Sequence, residues 1–399
     1  MELIQRRCNV CQSEDYIEVF QQRFNSIVGF SDLDYVQRLV ICKNCGYTYT
    51  NPSPSPNELG KYYETLSNYE NPLRQGQARR ESMNRWHMIY DMIAKHAAPG
   101  RVLDIGCATG NGLSVFKSKG WEVLGLDPSP RAAQIAWELY GVEVISGIFD
   151  TKHFINRGHF DLIIFSSVLE HLNYPDITID EIKDIIAAGG LVFIEVPNLL
   201  CPAIPFGYFT FEHLNYFTPT TLTTLMEMKG YSLEQIELLD TCKENDIDYP
   251  AIHAIFKAGN LKEVNLALKS DYIAAYNTVI NYKKSLEKEV FRLQSRIGEI
   301  TQQTAPGKLG IWGAGIHTSE LLSSTTLANE KIACIFDSDP KKQGKLLNGV
   351  QVVSLDKPEE VKKRLDGIII SSFAFENEIY NQIKYLQDYG INVYKLYDV

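Results

Sequence analysis

What this sequence lacks narrows the field first. No apolar run approaches the roughly 18 to 20 residues that a membrane-spanning helix needs, so no membrane partner is expected. The opening residues, Met1-Glu2-Leu3-Ile4-Gln5-Arg6-Arg7, lack the basic-then-apolar order of a secretory signal, which gives the expectation of a cytoplasmic protein. Positive charge is short: 39 Lys and Arg stand against 49 Asp and Glu, a formal net charge of -10. Neutralising phosphates takes a basic face, so a nucleic-acid partner is not expected. Internal repeats and low-complexity tracts are missing too. What remains is a chain of 399 residues, longer than one core usually grows, which predicts several domains.

Four blocks emerge along it. Residues 1–60 carry paired cysteines and end in Asn51-Pro52-Ser53-Pro54-Ser55-Pro56, a punctuated turn or linker. Residues 61–260 alternate short β-rich runs with helical stretches, the pattern of a parallel sheet with crossover helices. Its strands are expected at 101–103, 122–126, 143–145, 161–165 and 191–195, with 231–239 and 251–256 as a closing antiparallel pair. Residues 261–304 have no proline, and their apolar residues recur at helical spacing, which predicts one long helix or two joined ones acting as a packing spacer. Residues 305–399 open with Lys308-Leu309-Gly310-Ile311-Trp312-Gly313-Ala314-Gly315 and read again as strand, turn and helix.

The second block carries the most informative spacing. Val102-Leu103-Asp104-Ile105-Gly106-Cys107-Ala108-Thr109-Gly110 is a strand ending in an acid, then a glycine-rich turn that opens a helix. Such a turn lets backbone N–H groups approach a ligand with no side chain in the way. Alone it does not separate a dinucleotide fold from other nucleotide folds. One strand later, Asp127 stands where a ribose diol can donate two hydrogen bonds to a carboxylate. Phe149 and Asp150, past a third strand, offer an apolar wall and an acceptor for an adenine. Asp161 to His171 supply the fourth strand and its exit. This series resembles the class I methyltransferase family over about residues 85–260. The resemblance implies S-adenosylmethionine as cofactor, with Asp104, Gly106 and Gly110 at its methionine end, Asp127 at the ribose, and Phe149 with Asp150 at the adenine. Ala108 departs from the family, which has glycine there, and is expected to narrow the loop slightly. His171 reads as either close to the sulfonium or structural.

Cys8-Asn9-Val10-Cys11 and Cys42-Lys43-Asn44-Cys45 give four thiols in two chelating pairs. Four thiolates satisfy a closed tetrahedral zinc site, so Cys8, Cys11, Cys42 and Cys45 are read as structural zinc ligands, with redox pairs as the alternative. Zinc here is expected to fix a small module with little core of its own. Cys107, Cys201, Cys242 and Cys334 are read as buried thiols. Just after the module, Tyr62, Tyr63 and Tyr69 place phenols ahead of the main fold, and Tyr69 is taken as a phenol that hydrogen-bonds substrate.

Pro205 to Pro219 is expected to project from the carboxyl edge of the sheet. Methyl transfer is an in-line displacement at carbon, so the protein chiefly positions the acceptor and removes its proton. His213 is the candidate base and Glu212 its orienting carboxylate, although this Glu-His-x-x-Tyr-Phe-x-Pro stretch serves equally well to shape the fold.

Taken together, the cysteine module, the methyltransferase-like block, the helical connector and the second Rossmann-like block resemble the bacterial sugar C-methyltransferases. The C-terminal likeness rests on Gly310 to Gly315, Phe336 to Gly344 and Ile368 to Phe373. The resemblance implies an α/β protein: a class I methyltransferase sheet, a small N-terminal zinc module and a C-terminal Rossmann-like domain, acting on a sugar or nucleotide-sugar as a C-methyltransferase. Where that family reads Tyr-x-Glu-His this chain has Thr210-Phe211-Glu212-His213, which keeps O-methylation of a sugar open beside carbon methylation. A nucleic-acid or protein methyltransferase and a non-catalytic binding protein are the further alternatives.

Overall fold

The computed structural model describes residues 1–28, 33–66, 73–74, 77–78, 80–202, 207–239, 250–259, 268–355, 361, 364–373 and 375–397. At the N-terminus, β1 (Leu3–Ile4), β2 (Tyr16–Phe24), β3 (Tyr35–Cys42), β4 (Thr48–Thr50) and β5 (Ser53–Pro54) precede α1 (Pro56–Leu66) and the short pair β6 (Leu73–Arg74) and β7 (Gln77–Ala78). Here the proline-punctuated segment is not a linker. β5 pairs antiparallel with β1, and Ser53 and Ser55 are buried, so this stretch closes the module.

The central unit runs α2 (Arg80–Ile93), β8 (Arg101–Ile105), α3 (Asn111–Ser118), β9 (Glu122–Asp127), α4 (Pro130–Tyr140), β10 (Val144–Ser146), β11 (Phe160–Ser166), α5 (Pro175–Glu181), β12 (Ile186–Pro197), β13 (Asn215–Tyr216), α6 (Pro219–Met228), β14 (Tyr231–Leu239) and β15 (Ala251–Ala258). Seven strands form one sheet in the order β10-β9-β8-β11-β12-β15-β14, parallel except at β15 and β14. Both faces are covered, which is why β11 and β12 read as continuous apolar runs. Helix boundaries follow local chemistry. Ser129 caps α4 by accepting the Ala132 N–H, Pro130 stands in its first turn and Gly141 ends it at φ 59. Thr218 and Thr221 form a reciprocal capping box on α6.

All seven expected strands are present, with two informative differences. β8 runs two residues longer than expected, so Asp104 lies inside the strand, and β12 spans 12 residues where five were expected. The module is also not self-contained. Its sheet has the order β13-β4-β3-β2, with β13 supplied by the segment that carries Glu212 and His213, and its cysteines share a core with one face of the large sheet.

The connector is one helix, α7 (Tyr272–Gln302), and it is more than a spacer. Its first turns pack Ala275, Val279 and Tyr282 against the module, whereas Leu293, Ile297 and Ile300 belong to the core of the C-terminal unit. Gly46 is required at the first contact: at φ +79, a Cβ there would lie 2.4 Å from the Tyr272 nitrogen. The C-terminal unit contains β16 (Leu309–Trp312), α8 (Ile316–Ser324), β17 (Ile332–Phe336), β18 (Leu346–Leu347), β19 (Val350–Val353), β20 (Gly367–Ile370) and β21 (Asn392–Lys395), in a sheet ordered β18-β19-β17-β16-β20-β21. No helix of the described residues is long and apolar enough to cross a membrane.

Candidate active site

The chain leaves β8 toward β9 and β10 on one side and returns with β11 on the other, so the carboxyl ends of β8 and β11 flank the point where strand order reverses. Ligands of open α/β sheets sit at such a crevice. Asp104 lies in β8 at 1% exposure, with Oδ1 lacking any hydrogen-bond partner. Burial pushes its carboxyl well above the usual range, opposed by the Arg85 guanidinium. An orphaned buried acceptor of this kind suits a cationic donor such as an ammonium. Gly106 follows at φ +79, where a Cβ would meet Val168 Cγ2 at 2.5 Å. The turn ends on Gly110, at φ +70, which opens α3.

Ala108 does more than narrow this loop. Its φ is +47, the left-handed region that disfavours any residue with a Cβ, so the methyl group acts through backbone strain. The Ala108 N–H donates to Asp127 Oδ2 at 2.9 Å, and Asp127 Oδ1 accepts the Ser129 N–H at 2.9 Å. A carboxylate at this strand end suits the hydroxyls of a ribose. Phe149 stacks on Phe154 at 6.1 Å beyond β10. Asp150 caps the following turn by accepting the Lys152 backbone N–H at 2.9 Å, and that bond first, with the Lys152 ammonium second, holds its carboxyl below the usual range. An orphaned carboxyl group and a glycine cradle at the end of β8, with Asp127 at the end of the neighbouring β9, fit S-adenosylmethionine.

A second polar group, absent from the sequence reading, lines the same edge. Glu195 of β12 is 4% exposed and forms a two-pronged pair with Arg85, whose Nη2 also donates to Ser166 Oγ at 2.6 Å. Burial alone would raise the Glu195 carboxyl, but Arg85 and His253 hold it well below the usual range. The signal was a lone acid in the apolar run Leu191 to Val196.

The exit of β11 and the loop before β13 meet as a histidine pocket. His171 and His213 approach edge to face with ring centroids 4.8 Å apart, and the Glu212 carbonyl lies 3.1 Å from His171 Nδ1. Burial depresses both imidazoles, His171 to about 4 and His213 well below its ordinary value, so both rings are neutral near pH 7. Burial also lifts the Glu170 carboxyl to about 8 and that of Glu212 to about 7. Glu170 Oε2 and Glu212 Oε2 are buried without partners. One ligand atom each from Glu170, His171 and His213 lies within 4.8 Å of the others. Tyr69 lies outside the described residues; the phenol ring that packs on His171 is that of Tyr63, with centroids 5.8 Å apart. Thr210, in the place of the family's tyrosine, buries an Oγ1 that has no partner.

The four thiols of Cys8, Cys11, Cys42 and Cys45 converge, with Cys8 Sγ 3.5 Å from Cys45 Sγ and Cys11 Sγ 3.4 Å from Cys42 Sγ. A tetrahedron with zinc–sulfur bonds of about 2.3 Å places sulfurs about 3.8 Å apart, so the donor set fits that ion. The reading of the remaining cysteines needs correction. Cys107 is buried, but Cys334 is half-buried and Cys201 exposed, because Cys201 follows β12 on a surface loop; Cys242 lies outside the described residues.

Residues 75–236 match a family model described as a methyltransferase domain, and residues 306–396 match one described as C2185-like, N-terminal. The chain is 24% identical over 417 aligned residues to the C-methyltransferase NovU of Streptomyces niveus, an alignment covering 96% of this chain and 93% of that protein. It is 26% identical to the ubiquinone biosynthesis O-methyltransferase of Shewanella pealeana, covering 54% of this chain and 95% of the relative. Among solved structures, the N-methyltransferase NodS of Bradyrhizobium japonicum in complex with S-adenosyl-l-homocysteine overlaps at a TM-score of 0.38 and 19% identity, over 49% of this chain and 94% of that one. The chain is an S-adenosylmethionine-dependent methyltransferase with a Rossmann-like α/β fold.

Proposed function

We propose that this methyltransferase acts on a sugar, nucleotide-linked, and transfers the methyl group to a carbon beside a keto group, with one structural zinc held by Cys8, Cys11, Cys42 and Cys45. The observation that carries the reading is the extent of the alignment. The alignment to the C-methyltransferase relative covers 96% of this chain, so it takes in the module, the central unit, the connector and the C-terminal unit, whereas that to the O-methyltransferase relative covers 54%.

Bound S-adenosylmethionine supplies an electrophilic methyl group. Asp104 would meet its ammonium, the Gly106 to Gly110 turn its methionine end, Asp127 its ribose, and Phe149 with Asp150 its adenine. The chain's own task is then to generate a nucleophile. His213, neutral by burial, offers a ring nitrogen that accepts a proton, and no side-chain hydrogen bond among the described residues occupies it. His171 holds its orientation through the Glu212 carbonyl. Closing the pocket around neutral rings excludes the water that would compete for the proton. Where the resembled family has a phenol, the Thr210 hydroxyl would be this chain's shorter donor to an enolate or alkoxide oxygen.

A second reading, O-methylation of a sugar, is favoured by one feature: Thr210 lacks the phenol, and a hydroxyl acceptor requires only the base. Incubation with methyl-labelled S-adenosylmethionine and a panel of nucleotide-linked keto-sugars tests both. A carbon-bound methyl in the product NMR spectrum supports the first, an oxygen-bound methyl replaces it with the second, and transfer to RNA or protein alone overturns both.

A further inference from the structure

We propose that Asn215, held by Arg6 and Tyr47 of the cysteine module, is the positioning residue that fixes the His171 and His213 rings against one another. Asn215 is 1% exposed and uses its whole amide. Its Nδ2 donates to the Leu169 carbonyl at 2.6 Å and to the Leu172 carbonyl at 2.7 Å, the two carbonyls that bracket Glu170 and His171. Its Oδ1 accepts from Arg6 Nη2 at 2.6 Å and from the Tyr47 hydroxyl at 2.6 Å. Asn215 is two residues from His213, so one side chain bolts the loop of one histidine to the turn of the other.

Arg6 makes the arrangement directional. It is 4% exposed, and besides Asn215 its guanidinium donates to the Leu214 carbonyl at 3.1 Å and to Asn9 Oδ1 at 2.6 Å. Asn9 in turn donates to Asp176 Oδ1 at 2.6 Å, at the start of α5. Arg6 and Asn9 flank Cys8, and Tyr47 follows Cys45 by two residues, so both knuckles of the module reach the same amide. Leu214 N–H donates to the Glu170 carbonyl at 2.7 Å, closing the link to the histidine turn. With every arm of the Asn215 amide occupied the junction specifies one geometry, and losing one arm loosens the rest. Among the described residues no hydrogen bond or ring contact joins Arg6 or Tyr47 to either imidazole, so an effect of Tyr47 on the rings travels through Asn215, and one of Arg6 through Asn215 and the Leu214 carbonyl.

The idea rests on reading His213 as the base, but its test does not need a substrate. The ring Cε1–H resonances of His171 and His213 are followed by NMR in the full chain between pH 8 and pH 5, alongside zinc content and S-adenosylmethionine affinity. The groups facing these rings are Glu170, the Glu212 carbonyl, Tyr63 and Tyr216. In the parent protein both rings stay neutral over most of that range. In Arg6→Met we expect their titration midpoints to rise by about one pH unit toward the ordinary value as water enters, with zinc content and cofactor affinity unchanged. Asn215→Ala produces the same shift, and adding Tyr47→Phe to Asn215→Ala moves the midpoints no further. Should Arg6→Met fail to fold, Tyr47→Phe removes one hydrogen bond and gives the same change in smaller degree. Histidines that keep their resonances while only the melting temperature falls would make the network merely structural and overturn the proposal. Rings that respond while His213→Ala retains turnover would leave the positioning intact and defeat the base assignment instead.

Discussion

Burial decides what the site's titratable residues can do. His213 and His171 are neutral because burial penalises an imidazolium, and a neutral ring is what proton abstraction requires. His213→Ala is therefore expected to keep S-adenosylmethionine affinity within about threefold while lowering turnover by about 10²-fold or more, read by calorimetry and labelled-methyl transfer; turnover above a tenth of the parent removes His213 from the chemistry. The acids have the opposite sign. Glu170 titrates at about 8 in the folded chain against an ordinary 4.5, so its stabilising contribution is complete below about pH 4.5 and is lost as pH rises through about 8. Glu170→Gln should thus raise the melting temperature at pH 9 relative to the parent and leave the difference small or reversed at pH 5. An equal offset at both pH values would show that the carboxyl does not ionise in that window. His213, Glu212 and Asp104 were visible in the sequence as residue types in a pattern. Arg85, Glu195 and Asn215 were not, since their meaning lies in partners more than a hundred residues away or in backbone carbonyls, which no spacing reveals.

Elements carry two further consequences. The cofactor turn holds Ala108 at φ +47, which costs about 1 kcal/mol or more in a non-glycine residue. Ala108→Gly relieves that strain but adds unfolded-chain entropy, so a net gain of about 0.5 kcal/mol is expected from denaturant melts, with cofactor affinity unchanged or improved. A loss of stability would mean that the methyl group packs usefully. For the knuckles, metal analysis should find one zinc per chain, absent in Cys42→Ser, with a fall in melting temperature because the module's cysteines belong to the core of the large sheet. A second ion that disappears in His213→Ala would turn the histidine pocket into a metal site in place of a base. Strand and helix positions were largely legible here, because period and turn residues are local. The lengths of β8 and β12 were not, since pairing with neighbouring strands extends them past where their own apolar pattern stops.

Across the whole molecule, one core runs through the expected boundary at residue 304. Leu293, Ile297 and Ile300 of α7 sit in the core with Leu309, Ile311 and Ile335, and Val28 from the module joins them. Gln22 of β2 donates to Glu320 of α8 at 2.6 Å, and Ser26 Oγ accepts the Asn348 N–H at 2.9 Å, so the C-terminal unit is docked on the module's hairpin. A fragment beginning at residue 305 should therefore lack cooperative unfolding, while one beginning near residue 285 should recover it, as judged by circular dichroism on heating. Cooperative melting of the shorter fragment would restore the original boundary.

The sequence by itself determined the class of the central fold, the cofactor, the four convergent thiols and the loop bearing Glu212 and His213. Each is written in short-range chemistry: an acid and glycines at a strand end, paired cysteines, a histidine between a strand and a capped helix. Tertiary structure alone decided which groups meet. It set His171 beside His213, gave Glu195 its arginine, strung Asn215 between module and pocket, and divided one helix between two cores. These are contacts of high sequence separation, fixed by burial and by the demand that buried polar groups find partners, and that demand is met only when the whole chain has folded.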